Sequence, residues 1–188
     1  MRTLMRWALT PLVVLALAGC GGGDGDDKKA DTALAEPSSR TLAATLAADD
    51  DHDTLEGVVT NAGLSAVLEG KGPYTVFAPA DAAFATAGGD FTSEALRAEG
   101  AALLRAHIVP GALTRSDIAA AIERAGAEGV EMRTMADTLL TFTRDGETMV
   151  VTTPDGARAR LSGEETLASN GVLQPIDALL VRPAEPAA

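Results

Sequence analysis

The stretch GPYTVFAPADAAF, Gly72 to Phe84, decides how the chain is read. An apolar run, Tyr74 to Ala78, stops at Pro79, passes an acid at Asp81 and resumes as Ala-Ala-Phe. Proline has no amide hydrogen and disfavours a helical residue before it, so Pro79 ends a strand. Asp81 then falls at a helix start, where a carboxylate accepts orphan N–H groups and meets the positive end of the helix dipole. Corners of this kind carry nucleophiles in several enzyme classes. This tip offers Pro79, Ala80 and Asp81, with no Ser, Thr or Cys, so it reads as a corner of the fold. Asp81 is kept as a candidate binding residue. Phe77 and Phe84 flank the corner and are expected to bury their rings on opposite sides of it.

The segments before and after the corner have helical periodicity. Leu42 and Leu46, then Leu55, Val58, Val59 and Ala62, recur at three- and four-residue spacing. Asp53 reads as an N-cap with Glu56 as its capping-box partner, and Asn61-Ala62-Gly63 as a stop. A short turn follows at Ser65 to Glu69. Beyond the corner, Ser93 caps a helix running to His107, IVPG breaks it, and Ser116 to Arg124 forms the next helix, ended by Gly126. The period then changes. Val130–Thr134, Thr138–Thr143, Thr148–Thr152 and Ala157–Leu161 are short and β-branched, with hairpin turns at Asp145-Gly146 and Pro154-Asp155-Gly156. A last strand, Val172 to Val181, follows the Asn170-Gly171 turn. Helices first and antiparallel strands after make the fold class α+β.

The two ends read differently. Residues 1–19 open with Arg2 and Arg6 and continue as an apolar stretch too short for a membrane span, which is the pattern of a secretory leader. Leu17-Ala18-Gly19-Cys20 looks like a lipobox, which would make Cys20 the lipidated first residue of the mature chain. It is the only cysteine, so disulfides and thiol chemistry are set aside. Lipidation anchors a protein to a membrane without spanning it. Gly21 in place of an inner-membrane-retaining Asp favours the outer membrane. Residues 20–39, rich in glycine and charge, read as a tether reaching about 25 Å on average. Residues 184–188 form a short tail, and 40–183 a single domain.

The chain has 188 residues, 46% hydrophobic, with 15 Lys+Arg against 27 Asp+Glu and a net charge of −12. No cationic cluster is present, so nucleic acid is excluded as a partner.

Three segments in register carry a resemblance. TVFAPADAAF (Thr75–Phe84), LLRAHIVPGALTRSDI (Leu103–Ile118) and LASNGVLQPIDALLVRP (Leu167–Pro183) resemble the three signature boxes of the fasciclin domain, and Thr41–Leu68 resembles its opening helices. The resemblance implies a helical cap packed on a wedge of two small, mainly antiparallel β-sheets. It implies adhesion and protein binding rather than catalysis. The chain departs from the family pattern at Ala80, where Thr is usual, and at Ala106-His107, where animal members often have Tyr-His. Gln174 and Pro175 stand where His-Val is usual.

His107 is the second candidate binding residue. Between an alanine-rich helix and Ile108-Val109 it also reads as a buried imidazole bonded to backbone. His52 lies in DDDHD, which reads as a solvated acidic helix entry. The run Asp49–Asp53 could attract a divalent cation but lacks the glycine and terminal Glu of an EF-hand loop. Two distant histidines give no zinc pattern, and no phosphate loop appears, so no metal and no cofactor are expected. Asp177 lies in an apolar strand, where an unpaired carboxylate would cost several kcal/mol, and is expected to accept hydrogen bonds. The expected function is a lipid-anchored, monomeric envelope module holding a protein or glycan partner. An apolar ligand in a groove of the wedge is the alternative. A hydrolase would need a nucleophile–base pair that these residues do not supply.

Overall fold

The computed structural model describes residues 38–181. The lipobox with Cys20, the leader, most of the tether and the tail lie outside the described residues. Within them, helices α1 (Leu42–Leu46), α2 (Asp53–Asn61) and α3 (Ser65–Glu69) precede strand β1 (Tyr74–Pro79). Helix α4 (Asp81–Ala87), a 3-10 turn (Glu94–Leu96) and helix α5 (Arg97–His107) follow. Strand β2 (Ile108–Pro110) leads to α6 (Arg115–Ala125), and the chain ends in β3 (Val130–Arg133), β4 (Leu139–Asp145), β5 (Thr148–Thr152), β6 (Arg158–Arg160), β7 (Thr166–Ala168) and β8 (Gly171–Ile176).

The strands form two four-stranded sheets. One has the order β2-β1-β8-β7 and the other β3-β4-β5-β6. Every pairing is antiparallel except β1 with β8, which run parallel from Tyr74↔Gly171 to Pro79↔Ile176. This is the expected α+β wedge. Two cores fill it. Leu42, Leu55, Val58, Val76, Phe84 and Leu104 join the helical cap to the first sheet. Phe77, Ile118, Leu140, Phe142, Val151 and Ile176 join the two sheets and α6. Alternation along β1 does this: Phe77 packs its ring 5.2 Å from Phe142 in one core, whereas Val76 and Ala78 lie in the other, which Phe84 of α4 joins.

Several boundaries differ from expectation. IVPG is strand β2 rather than a mere break, because Tyr74–Val76 offers it an open edge to pair with. Strand β7 has three residues and too little pattern to stand out. The N-cap of α2 is His52, with Asp53 the first helical residue. A 3-10 turn separates Ser93 from α5. Helix α6 starts one residue early, on a capping box between Thr114 and Asp117. The last strand stops at Ile176, so Asp177 is exposed beyond its end. Asp177 accepts the Arg160 amide at 2.6 Å, and its own amide donates to the Arg160 carbonyl. Pro175 is tolerated in β8 because β7 pairs only as far as Leu173.

The closing end of the β1–β8 pair is the tightest place in the molecule. Asn170 is buried, and its Oδ1 accepts the Leu42 amide at 2.7 Å. Its Nδ2 donates to the carbonyls of Leu68 at 2.8 Å and Gly70 at 2.7 Å. A Cβ on Gly171 would overlap the Tyr74 carbonyl, and one on Gly72, at φ +57°, would overlap the Asn170 carbonyl. The Asn170-Gly171 pair is therefore more than a turn: it ties α1, α3 and β1 together.

Replacing Asn170 with Ala strands one buried donor and two acceptors. Urea denaturation should show a loss of about 3 kcal/mol or more, since each orphaned group costs about 1–3 kcal/mol. A loss under about 1 kcal/mol would remove Asn170 from this role.

Candidate functional site

The strand-to-helix corner is held from outside its own segment. The amide of Ala80 donates to the Ile176 carbonyl, and the amide of Asp81 to the Asp51 carbonyl. The Asp81 carboxylate does not cap α4, which has no side-chain cap. Its Oδ1 instead accepts the Thr54 amide in the first turn of α2, at 2.9 Å. The expectation for Asp81 is thus corrected in its target: it caps the neighbouring helix, because the loop before α2 folds back over the corner.

His52 belongs to the same corner. It is 3% exposed, not solvated as the acidic run around it implied. Its Nε2–H donates to the Ala78 carbonyl at 3.2 Å, and Nδ1 sits 3.0 Å from Asp49 Oδ2 without hydrogen-bond alignment. Asp50 and Asp51 are exposed, whereas Asp49 turns its carboxylate toward the ring and the Asp51 amide. Among the described residues, no three His, Cys, Asp or Glu side chains are placed to hold a metal ion.

His107 is wholly buried at the end of α5. Its Nδ1–H donates to the Leu103 carbonyl at 2.8 Å, and its Nε2 accepts the Leu180 amide at 2.9 Å. Both ring nitrogens are committed to main chain, which fixes the neutral tautomer and staples α5 to the segment after β8. Burial pushes its pKa from 6.5 down to about 4, with the Leu103 bond acting weakly the other way. The ring has no free nitrogen to act as base or ligand.

One polar cluster was not singled out from sequence. Gln174, fully buried in β8, accepts from Arg115 Nε at 3.0 Å and donates to the Leu113 carbonyl and to Glu165. Arg115 also donates to the carbonyls of Ser162 and Gly163, and its amide donates to Glu165. The signal that could have found it is an amide side chain inside an otherwise apolar strand. Both polar atoms of the Gln174 amide and all three guanidinium nitrogens of Arg115 have partners, so the cluster locks α6 to the first sheet.

Among the described residues, the surface has a markedly apolar concavity. A solvent-open groove of about 610 Å³ runs between the end of α4 and the face of α5. Phe91, Leu96, Ala102, Leu103, Ala106 and Val181 line it, with Glu99 on its wall. Helix α4 stops there because Gly88 takes the left-handed conformation at φ 73°. A second hollow of about 460 Å³ continues from it past Ala106, Thr138 and Val181. Met135, beside the groove residue Ala136, is the one exposed large hydrophobic side chain among the described residues.

The groove and the incoming chain lie at opposite edges of the first sheet. The amide of Ser38 donates to Leu167 of β7, and that of Ser169 to Arg40, so the chain arrives on the β7 edge. The groove's outer wall, Met135-Ala136, donates to Ile108 and Arg105 at the β2 edge. Three strand spacings, about 14 Å, separate the two.

A fasciclin-domain family model matches residues 50–182. The chain belongs to the fasciclin domain family. It is 29% identical over 154 residues to Protein sll1483 of Synechocystis sp., covering 79% of this chain and 77% of that protein. It is 30% identical to the transforming growth factor-beta-induced protein ig-h3 of Sus scrofa, over 71% of this chain but only 18% of that much longer protein. In structure it resembles the FAS1 domain pair of the insect cell adhesion molecule Fasciclin I, with a TM-score of 0.65 at 15% identity, over 76% of this chain and 51% of that one. That likeness establishes the fold.

Within this fasciclin domain the signature residues act inward. Asp81 of the first box, His107 of the central box and Asn170 of the last each bond to backbone from a distant segment. Half of the groove's lining is alanine and glycine, which carry no signal in sequence, while Leu103, Ala106 and Val181 come from the central and last boxes.

The lowered His107 pKa sets a pH dependence. Below 6.5 the unfolded chain takes the proton first, so stability falls as pH drops from about 6.5 to about 4. The histidine accounts for about 3 kcal/mol of that fall. Chemical denaturation of the wild type and His107→Gln at neutral pH and near pH 4 should show the variant lacking this part of the loss. Parallel losses in both proteins would refute the assignment.

Proposed function

We propose that this fasciclin domain is a lipid-anchored binding module of the cell envelope. Acyl chains on Cys20 hold it, residues 20–39 give reach, and the groove at the far edge of the first sheet takes an apolar element of a protein or glycan partner. The observation that carries the reading is the apolar groove, open to solvent on the edge opposite the incoming chain. Membership of the fasciclin domain family, which is linked to cell adhesion and protein binding, supports the class of function. No helix among the described residues is long and apolar enough to cross a membrane. Gly21 after the cysteine directs the lipoprotein to the outer membrane.

A second reading rests on the groove's size. At about 610 Å³ it falls in the range of about 300–1,000 Å³ typical of small-molecule sites. A small apolar ligand would fit the same walls.

Replacing Cys20 with Ser should move the protein from the membrane to the soluble fraction or leave it uncleaved; unchanged acylated membrane fractionation would sink the anchor. The exposed Ala102, replaced by Trp, should fill the groove without unfolding the domain. The fluorescence of N-phenyl-1-naphthylamine should rise with the wild type and not with Ala102→Trp if the groove takes small apolar ligands. Equal signals from both would exclude that reading.

A further inference from the structure

Glu99 is the charged residue on an otherwise apolar wall, and it makes no hydrogen bond or ion pair among the described residues. Two arginines nearby are already paired. Arg97 pairs with Glu94, and Arg133, in the adjoining hollow, pairs with Asp137 at 2.6 Å. Glu99, Ala102, Leu103 and Ala106 stand at i, i+3, i+4 and i+7 on α5, so they share one face. The helix rise places Glu99 about 10 Å along the groove wall from Ala106, at 1.5 Å per residue. A free carboxylate at the end of an apolar trough selects for a cation attached to an apolar group. The net charge of −12 adds a long-range pull in the same direction.

We infer that the groove recognises a segment of a partner protein in which a large apolar side chain, Leu or Phe, lies within about three residues of an Arg or Lys. The spacing follows from the distance to Glu99 and about 3.3 Å per residue of extended chain. The apolar side chain seats against Leu96, Ala102 and Ala106, and the cation pairs with Glu99. The assignment rests on the groove being the binding surface, and it adds the partner's chemistry.

A random-peptide library selected on the full chain in detergent tests both levels. Enriched peptides should pair a large apolar residue with Arg or Lys at that spacing. Against the best of them, Glu99→Gln should weaken binding about fivefold or more at low salt. The difference should vanish near 1 M salt, where the screening length is about 3 Å. Ala102→Trp should abolish binding with an unchanged melting temperature. If Ala102→Trp abolishes binding but Glu99→Gln does not weaken it, the cation assignment falls and the groove reading stands. If Ala102→Trp leaves binding intact, the groove reading falls with it. Failure to enrich any peptide, while free phenethylamine binds in a Glu99-dependent way, overturns the protein-segment assignment in favour of a small amine. A gain of about tenfold on Arg182→Ala would make the chain's own segment after Val181 the source of the cation, and would overturn it as well.

Discussion

The parallel pairing of β1 with β8 is the constraint on which the remaining structure depends. It joins residues 74–79 to residues 171–176, so nearly all of the chain between them is one long excursion. Bringing such distant segments together carries a loop-closure cost that only later contacts can offset. The offset is concentrated at the closing end. Gly72 and Gly171 let the two backbones meet, and Asn170 bonds to both helices that overlie them. From this seam β2 and β7 extend the sheet outward, α1 to α5 cover one face, and Phe77 reaches across to Phe142 in the second sheet.

Three polar side chains repeat one physical device. Asn170, Asp81 and His107 are each supplied by one segment and satisfy backbone groups of another far away in sequence. Buried or half-buried amides and carbonyls at helix ends have no intrahelical partner, and leaving them unpaired is expensive. A single side chain that answers such a need fixes two elements at once. It also explains why a domain with only five aromatic residues holds a defined shape. The junctions are specified by directional bonds, and the alanine-rich interfaces between them need only fit.

The α+β class, most helices and the two hairpins of the second sheet were legible because their periodicity is local. Turn residues such as Asp145-Gly146 announce themselves in a few positions. What escaped was long-range. His52 looked solvated because its neighbours are four aspartates, yet the fold turns its ring inward to Ala78. Asp81 looked like a cap for its own helix, and its true partner, Thr54, comes from the first turn of a helix 27 residues earlier. The Asp177 environment was misjudged because the strand ends one residue before it. The groove was invisible for a different reason: a surface made by the absence of side chains at Ala87, Gly88 and Ala102 leaves no motif. The groove shares Leu103, Ala106 and Val181 with the signature boxes, but the polar residues of those boxes, Asp81, His107 and Asn170, are consumed in building the fold.

Native-state amide hydrogen exchange tests the central claim most directly. If Asp81, His107 and Asn170 are the joints of the domain, the amides of Thr54, Leu180 and Leu42 should exchange only through global unfolding, as slowly as the amide of Val76 in the centre of the first sheet. Fast, local exchange at these three amides while Val76 stays protected would contradict the account, because the helical cap would then be held by apolar contact alone.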